Sequence, residues 1–193
     1  MLFLHNNYNL LFIDFRHLGE SGGAYSTFGK FETLDVLAAI QYLQQRGMDK
    51  IGIWGLSMGA AAALMAAPQA PQVRALVLEE PYARLDWMAN NYYAVPILNR
   101  LLGELMRMWA WLWFQFDIRD VSPVEAAKKL TMPMLFIFSK TDTVIPYEHA
   151  ELMQNALKNN SRVRFIILDN EPHSRSRPED RAVIKTFFDT NLK

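Results

Sequence analysis

Short apolar runs and longer stretches of helical periodicity alternate along most of the chain. The apolar runs, rich in β-branched and aromatic residues, predict buried strands at Asn9–Phe15, Ile51–Trp54, Ala75–Leu78, Met134–Phe138 and Val163–Leu168. The stretches between and after them predict helices near Phe31–Arg46, Ala60–Ala67, Glu148–Lys158 and Pro178–Leu192. Strands that are apolar on both faces and separated by helices are typical of a parallel sheet covered on both sides. We therefore expect one α/β domain, residues 1–193, with a mostly parallel sheet flanked by helices.

The alternation breaks between Arg84 and about Ala127, where methionine and aromatic residues become frequent. They are Trp87, Met88, Tyr92, Tyr93, Met106, Met108, Trp109, Trp111, Trp113, Phe114 and Phe116. We interpret residues 84–127 as a helical cap or lid inserted after the Ala75–Leu78 strand, because adaptable apolar side chains suit the wall of a substrate pocket. Four of them are candidate pocket residues: Trp87, Met106, Trp109 and Trp111. A purely structural cap, and a dimer or membrane-surface face, are the alternatives.

Composition excludes several classes of protein. The 193 residues are 51% hydrophobic, and 20 basic residues balance 20 acidic ones, so the chain is globular and lacks the basic surplus expected of a nucleic-acid partner. Without cysteine, disulfides, thiol catalysis and cysteine-based metal sites are excluded. The four histidines, His5, His17, His149 and His173, do not pair at metal-ligand spacing, and we expect neither a metal nor a cofactor.

The N-terminus and the length of the apolar runs indicate where in the cell the protein is expected. Met1–Asn7 lacks the basic start and long apolar stretch of a signal peptide. No run approaches the ~20 apolar residues of a membrane span. We therefore expect a cytoplasmic protein without a membrane span.

The stretch Gly55-Leu56-Ser57-Met58-Gly59 carries the strongest chemical signal. It fits the pattern G-x-S-x-G and lies between a predicted strand and an alanine-rich predicted helix, the context in which a serine hydroxyl projects from a tight turn. Small neighbours allow that turn, and the following helix N-terminus directs N–H groups at a developing oxyanion. Gly19–Gly23 fits the same pattern but opens into a loop. Ser57 is therefore the candidate nucleophile, and Ser21 is interpreted as a loop serine.

A serine nucleophile needs a base and a group that orients the base. Asp142 follows the Met134–Phe138 strand, and His173 follows the Val163–Leu168 strand. Like Ser57, both come at the carboxyl ends of predicted parallel strands, where such sheets place their sites. An N-cap aspartate and a solvent-exposed loop histidine are the alternatives for the two residues taken singly.

In these motifs the chain resembles the α/β-hydrolase superfamily, most closely its small esterases and its monoacylglycerol-lipase-like and peptidase-like serine hydrolases. The resemblance rests on Asp14–Gly23, the Ser57 turn, Asp142 and His173. It implies that Ser57 is the nucleophile, His173 the general base and acid, and Asp142 the residue that orients His173. It also implies that the Met58 backbone N–H is one oxyanion donor. Some relatives place the acid after the preceding strand, which makes Glu79 or Glu80 an alternative.

One departure from the family concerns the N-terminus. Its first three strands, and the loop that supplies the second oxyanion donor, should precede Asn9, but only eight residues do. The expected fold is thus a truncated α/β-hydrolase fold. We predict that Asn9–Phe15 pairs in parallel with Ile51–Trp54 and that the Arg16–Gly23 loop, through an N–H such as that of Gly19, replaces the lost donor. The alternative is a flexible loop, with the strand edge covered by a second copy in a homodimer.

The predicted function is a serine carboxylic ester hydrolase that acts through an acyl-enzyme on small-molecule esters of short to medium chain length. A peptidase or thioesterase with the same triad is one alternative. The other is a catalytically impaired remnant that binds a partner, which the missing oxyanion loop favours.

Overall fold

A four-stranded parallel sheet forms the centre of the molecule. The computed structural model describes residues 8–91, 96–174 and 178–192. Among the residues considered above, Met1–Asn7 (with His5), Tyr92 and Tyr93 lie outside the described residues. The strands are β1 (Ile51–Leu56), β2 (Val73–Glu79), β3 (Met134–Ser139) and β4 (Val163–Leu168), paired in the order β1-β2-β3-β4. All three pairings are parallel, which confirms the expected α/β class.

Helices connect the strands as the periodicity predicts. They are α1 (Glu32–Gln45), α2 (Met58–Ala66), α3 (Leu85–Asn91), α4 (Pro96–Phe114), α5 (Pro123–Ala127), α6 (Glu148–Leu157) and α7 (Pro178–Asn191). Short 3-10 turns occupy Ala67–Gln69 and Ile118–Asp120. The four helices predicted between and after the strands correspond to α1, α2, α6 and α7.

The sheet separates two apolar cores. One face packs against α1, α2, α5 and α6 and contains Phe136, Leu64 and Met153. The other face packs against α7 through Ile184 and Phe188. The central strands β2 and β3 are buried almost throughout, which explains why they are apolar on both faces.

The predicted strand at Asn9–Phe15 is wrong. The segment is extended but forms no strand, and β1 pairs with β2 alone among the described residues. Tyr8 and Leu10 pack on the α7 side of the sheet, and the Tyr8 hydroxyl donates a hydrogen bond to Asp189 on α7. Phe12 is 64% exposed. Apolar composition indicated burial in a sheet, but only the start of the segment packs on the α7 side, while Phe15 packs against the core on the opposite face. A cavity lies between the segment and β1. The predicted pairing with Ile51–Trp54 is therefore not formed.

Residues between β2 and β3 form the helices predicted from their aromatic content. α3, α4 and the Ile118–Asp120 turn pack around a third apolar cluster that includes Tyr82, Phe116 and Ile145. One side of α4 is left exposed, with Trp109 and Trp113 stacked at 6.2 Å. Within the described residues, no helix is long and apolar enough to cross a membrane.

Candidate active site

Ser57 lies on a strained turn between β1 and α2. Its φ of 52° is in the left-handed region, which non-glycine residues rarely adopt. The Ser57 N–H donates to the Glu79 carbonyl at 2.8 Å, and the Ser57 carbonyl accepts from Ala61 at 3.1 Å, so both strand and helix hold the turn. Met58 is the first residue of α2, which places its N–H at the helix N-terminus.

The structure brings Ser57, His173 and Asp142 together. His173 Nε2 lies 3.2 Å from Ser57 Oγ, and His173 Nδ1 lies 2.6 Å from Asp142 Oδ2. With Asp142 ionised, Nδ1 carries the proton, which leaves Nε2 free to accept the Ser57 proton. This is the geometry that a serine–histidine–acid relay requires.

Asp142 and His173 come from loops that follow neighbouring strands. Asp142 follows β3, and its Oδ1 accepts hydrogen bonds from the N–H groups of Val144 at 2.7 Å and Ile145 at 2.9 Å. Its other oxygen is thereby directed at His173, and the side chain is buried. His173 follows β4 and retains some exposure to solvent.

A second carboxylate lies at the histidine. Glu80 Oε2 is 3.0 Å from His173 Nδ1 and accepts a hydrogen bond from the Ser174 N–H at 2.6 Å. Burial, more than the nearby charge of Asp142, raises the pKa of Glu80. Glu79 points elsewhere and accepts from the Trp54 indole N–H, and burial raises its pKa as well.

Glu80, Asp142 and His173 also form the one group, within the described part of the chain, whose ligand atoms lie close enough to hold a metal ion. Each of these side chains already has a hydrogen-bonding partner in the protein. A cation on Nδ1 would compete with the Asp142 contact. The arrangement therefore suits proton transfer better than metal binding.

The loop before α1 is organised by Glu32, which the sequence analysis missed. Its buried carboxylate accepts hydrogen bonds from Thr27, Gly29 and the Ser26 hydroxyl. Burial alone would raise the pKa of Glu32, but these hydrogen bonds outweigh it, and the pKa is lowered. Ser26 Oγ lies 3.6 Å from Met58 Sδ, so this loop reaches the Ser57 turn. A glutamate three residues after Gly29, at a helix start, is the signal that could have indicated it.

Gly19 and Ser21 belong to a tight turn earlier in the N-terminal segment, before the loop that Glu32 organises. Gly19 has φ of 56°, and a Cβ there would lie 2.2 Å from the Asp14 carboxylate, so glycine is required. Glu20 N–H donates to that carboxylate, and the Ser21 hydroxyl donates to the Asp14 carbonyl at 2.8 Å. Ser21 is thus an exposed turn residue engaged with its own loop.

A cavity of about 490 Å³ opens beside Ser57, on the β1 side of the sheet. Its walls are mostly apolar and come from the N-terminal segment, α1 and β1. They include Phe15, Leu18, Val36, Ile40, Ile53 and Leu56. The four cap residues lie elsewhere. Trp87 on α3 is half-buried near His149, and Met106, Trp109 and Trp111 on α4 are 40%, 54% and 58% exposed.

This fold and this group of side chains place the chain in a known class, the α/β-hydrolases. The chain belongs to the prolyl oligopeptidase family, whose profile matches residues 1–193.

Relatives and solved structures agree with that class. The chain is 29% identical over 200 residues to protein YqkD of Bacillus subtilis (strain 168), with 97% of this chain and 64% of YqkD covered. It is 23% identical over 159 residues to esterase EstD of Thermotoga maritima, with 72% of this chain and 39% of EstD covered. The esterase Pf2001 structure from Pyrococcus furiosus superposes with a TM-score of 0.74 at 25% identity, covering 98% of this chain and 72% of Pf2001. The chain thus spans less than two thirds of the two curated relatives.

Proposed function

We propose that this chain hydrolyses carboxylic esters through an acyl-enzyme on Ser57. The observation that carries the proposal is the 3.2 Å contact between Ser57 Oγ and His173 Nε2, with Nδ1 of the same ring on Asp142. The esterase names of EstD and Pf2001 support an ester substrate. The prolyl oligopeptidase family supports the second candidate, a peptidase with the same triad.

In the acylation step, His173 Nε2 takes the Ser57 hydroxyl proton while Oγ attacks the ester carbonyl carbon. The tetrahedral intermediate collapses as the bond to the alcohol oxygen breaks, and His173 returns the proton to the leaving alcohol. Water then attacks the acyl carbonyl carbon while His173 Nε2 takes a proton from it. The bond to Ser57 Oγ breaks, His173 returns the proton to Oγ, and the carboxylic acid departs. Asp142 holds the ring in the required tautomer and stabilises the imidazolium that forms in each step.

The oxyanion would be stabilised first by the Met58 N–H at the start of α2. We propose the Gly19 N–H as the second donor, although the predicted pairing of Asn9–Phe15 with β1 is not formed. One missing donor typically lowers kcat about 10²–10³-fold. If Gly19 does not donate to the oxyanion, we therefore expect a slow enzyme.

We further propose that the acyl chain lies in the cavity beside β1. Ser57 lines this cavity, its walls are mostly apolar, and its volume of about 490 Å³ suits a short to medium chain. The α4 face that carries Met106, Trp109 and Trp111 is the competing site.

A fluorophosphonate probe tests the central claim, because it labels an activated serine without a suitable substrate. We expect labelling of the wild-type chain at Ser57 and none of Ser57→Ala. An unlabelled but folded wild-type protein would favour the non-catalytic alternative. A panel of p-nitrophenyl esters of increasing chain length, with a matched amide and thioester, then separates esterase from peptidase and thioesterase.

A further inference from the structure

Glu80 is held in an unusual conformation at the carboxyl end of β2. Its φ is 49°, in the left-handed region, and the residue is 5% exposed. The Glu80 N–H donates to the Ile137 carbonyl at 2.8 Å, which fixes its backbone to β3. A strained, buried glutamate persists only where the surrounding structure over-determines it, and such positions cluster at functional sites.

Among the residues that the structure describes, the Glu80 carboxylate makes two contacts, both with the loop after β4. Oε2 accepts the Ser174 N–H at 2.6 Å and lies 3.0 Å from His173 Nδ1. The imidazole has only one proton on Nδ1, and the shorter contact, 2.6 Å, is to Asp142. Glu80 is therefore not a substitute for Asp142. It holds the backbone next to His173 and, in its ionised form, places a second negative charge beside the ring.

We propose that Glu80 is a positioning residue for His173: it anchors the histidine loop through Ser174 and stabilises the charged imidazolium together with Asp142. The proposal rests on the proposed role of His173 as the base for Ser57. The two carboxylates then have different roles. Asp142 determines the tautomer of His173, whereas Glu80 positions the His173 loop and stabilises part of the positive charge on the ring.

The charged groups that face Glu80 determine how pH acts on it. Within the described parts of the chain, they are Asp142 after β3 and His173 after β4. Glu79 is the neighbouring charge on β2. Burial is the largest influence and raises the pKa of Glu80, the Asp142 charge acts in the same direction, and the Ser174 N–H and His173 oppose them. Because these groups interact at close range, they titrate together. The acidic limb of the pH–activity profile, where activity is lost as the pH falls, therefore reports the cluster and not a single residue.

Three variants test the proposal. Glu80→Gln keeps an oxygen that can accept the Ser174 N–H but removes the charge, whereas Glu80→Ala removes both. Glu79→Gln is the matched control, because Glu79 is the adjacent buried glutamate on the same strand but bonds Trp54. For each variant, the rate of fluorophosphonate labelling is measured against pH, and the His173 ring is titrated by NMR with His173→Gln used for assignment.

We expect Glu80→Gln to move the acidic limb, and the midpoint of the His173 titration, to lower pH by about one unit, because the imidazolium loses a nearby negative charge. Glu80→Ala should show that displacement and also a plateau labelling rate about 10–100-fold lower, because the loop is released. Glu79→Gln should change neither.

An unmoved limb and titration midpoint in Glu80→Gln would overturn the charge role, and a plateau within twofold of wild type in a folded Glu80→Ala would overturn the anchoring role. Should Glu80→Ala fail to fold, Glu80→Met takes its place in the test of the anchoring role, because it also lacks an acceptor for the Ser174 N–H but fills the space of the glutamate. The NMR titration needs no reaction at Ser57. Suppose that Glu80→Gln displaces the midpoint of the His173 titration but the fluorophosphonate labels no form of the chain. That result would support the proposed role of Glu80 and reject the proposed hydrolase activity.

Discussion

A Cβ atom added to Gly55 would lie 2.7 Å from the Cα of Ala60. No real Cβ contact is that short, so the last strand residues and the first turn of α2 meet only because residue 55 is glycine. At Gly59, by contrast, an added Cβ would meet only the Phe15 ring at 3.5 Å, an ordinary contact. The two glycines of the G-x-S-x-G pattern are thus unequal.

We predict that Gly55→Ala destabilises the fold by about 1–3 kcal/mol, since the extra methyl group forces backbone apart in a packed region. Gly59→Ala is the matched control and should be neutral or slightly stabilising, because alanine favours the helix. Urea unfolding measures both. Equal stability of the two variants would contradict the close approach at Gly55.

We predict that Ser57→Ala abolishes ester hydrolysis, whereas Ser21→Ala leaves kcat/KM within about twofold of wild type. Ser57 contacts the histidine, while the Ser21 hydroxyl only closes an exposed turn by bonding the Asp14 carbonyl. Steady-state kinetics with p-nitrophenyl acetate, and circular dichroism to verify folding, make the comparison. Activity in Ser57→Ala together with loss in Ser21→Ala would reverse the assignment.

We predict that Asp142→Asn lowers kcat by about 10⁴-fold and that His173→Ala lowers it at least as much, because both remove the oriented base. Asp142 also accepts two backbone N–H bonds through Oδ1, which an asparagine oxygen can still accept. The fold should therefore survive in Asp142→Asn, and circular dichroism checks this. Retention of more than a tenth of wild-type kcat in either folded variant would reject the triad.

The predictable part of this molecule is what apolar pattern and local context determine. The four strands of the sheet were located within about two residues, because buried parallel strands are uninterrupted apolar runs. The Ser57 turn was distinguished from Ser21 by the helix that follows it. Asp142 and His173 were placed at one sheet edge because the carboxyl ends of parallel strands meet there.

What could not be predicted depends on partners distant in sequence. The apolar run at Asn9–Phe15 indicated burial, but whether an apolar run pairs in a sheet depends on where its neighbours lie. Here Leu10 packs on the α7 side, and Phe15 packs against the core on the opposite face. Glu79 and Glu80 are chemically identical and adjacent, and the sequence does not show that Glu80 contacts His173 while Glu79 contacts Trp54. The four cap residues were predicted to line the substrate pocket from composition alone, and composition does not show which way a side chain points.

We predict that His149 makes the fold sensitive to acid. Burial lowers the pKa of His149 from 6.5 to about 4. Its Nδ1 accepts a hydrogen bond from the Ala83 N–H, and Nε2 has no hydrogen-bond partner among the described residues. The unfolded chain therefore binds a proton between pH 6.5 and 4 that the folded chain does not. The contribution of neutral His149 to the free energy of unfolding is fully present above pH 6.5. It is lost as the pH decreases toward 4, by up to about 3 kcal/mol.

The His149→Asn variant tests this, because its side chain can still accept the Ala83 N–H but does not titrate. Its stability at pH 7 should be lower, and the extra loss between pH 6.5 and 4 should be absent when urea unfolding is compared with wild type. His17→Asn, at an exposed position with φ of 67°, is the control and should retain the wild-type slope. A wild-type slope in His149→Asn would contradict the buried neutral histidine.

The last prediction concerns where the acyl chain lies. Leu18 lines the cavity that Ser57 opens into and is itself partly exposed, so a larger side chain there can enter the cavity without disturbing the core. We predict that Leu18→Trp lowers kcat/KM for a p-nitrophenyl ester of eight carbons about tenfold relative to the acetate, because the longer chain needs the filled space. Trp109→Ala and Trp111→Ala, on the exposed face of α4, should leave this ratio within about twofold of wild type. The reverse result, an unchanged ratio in Leu18→Trp and a changed one in the α4 variants, would move the acyl site from the β1 cavity to the cap.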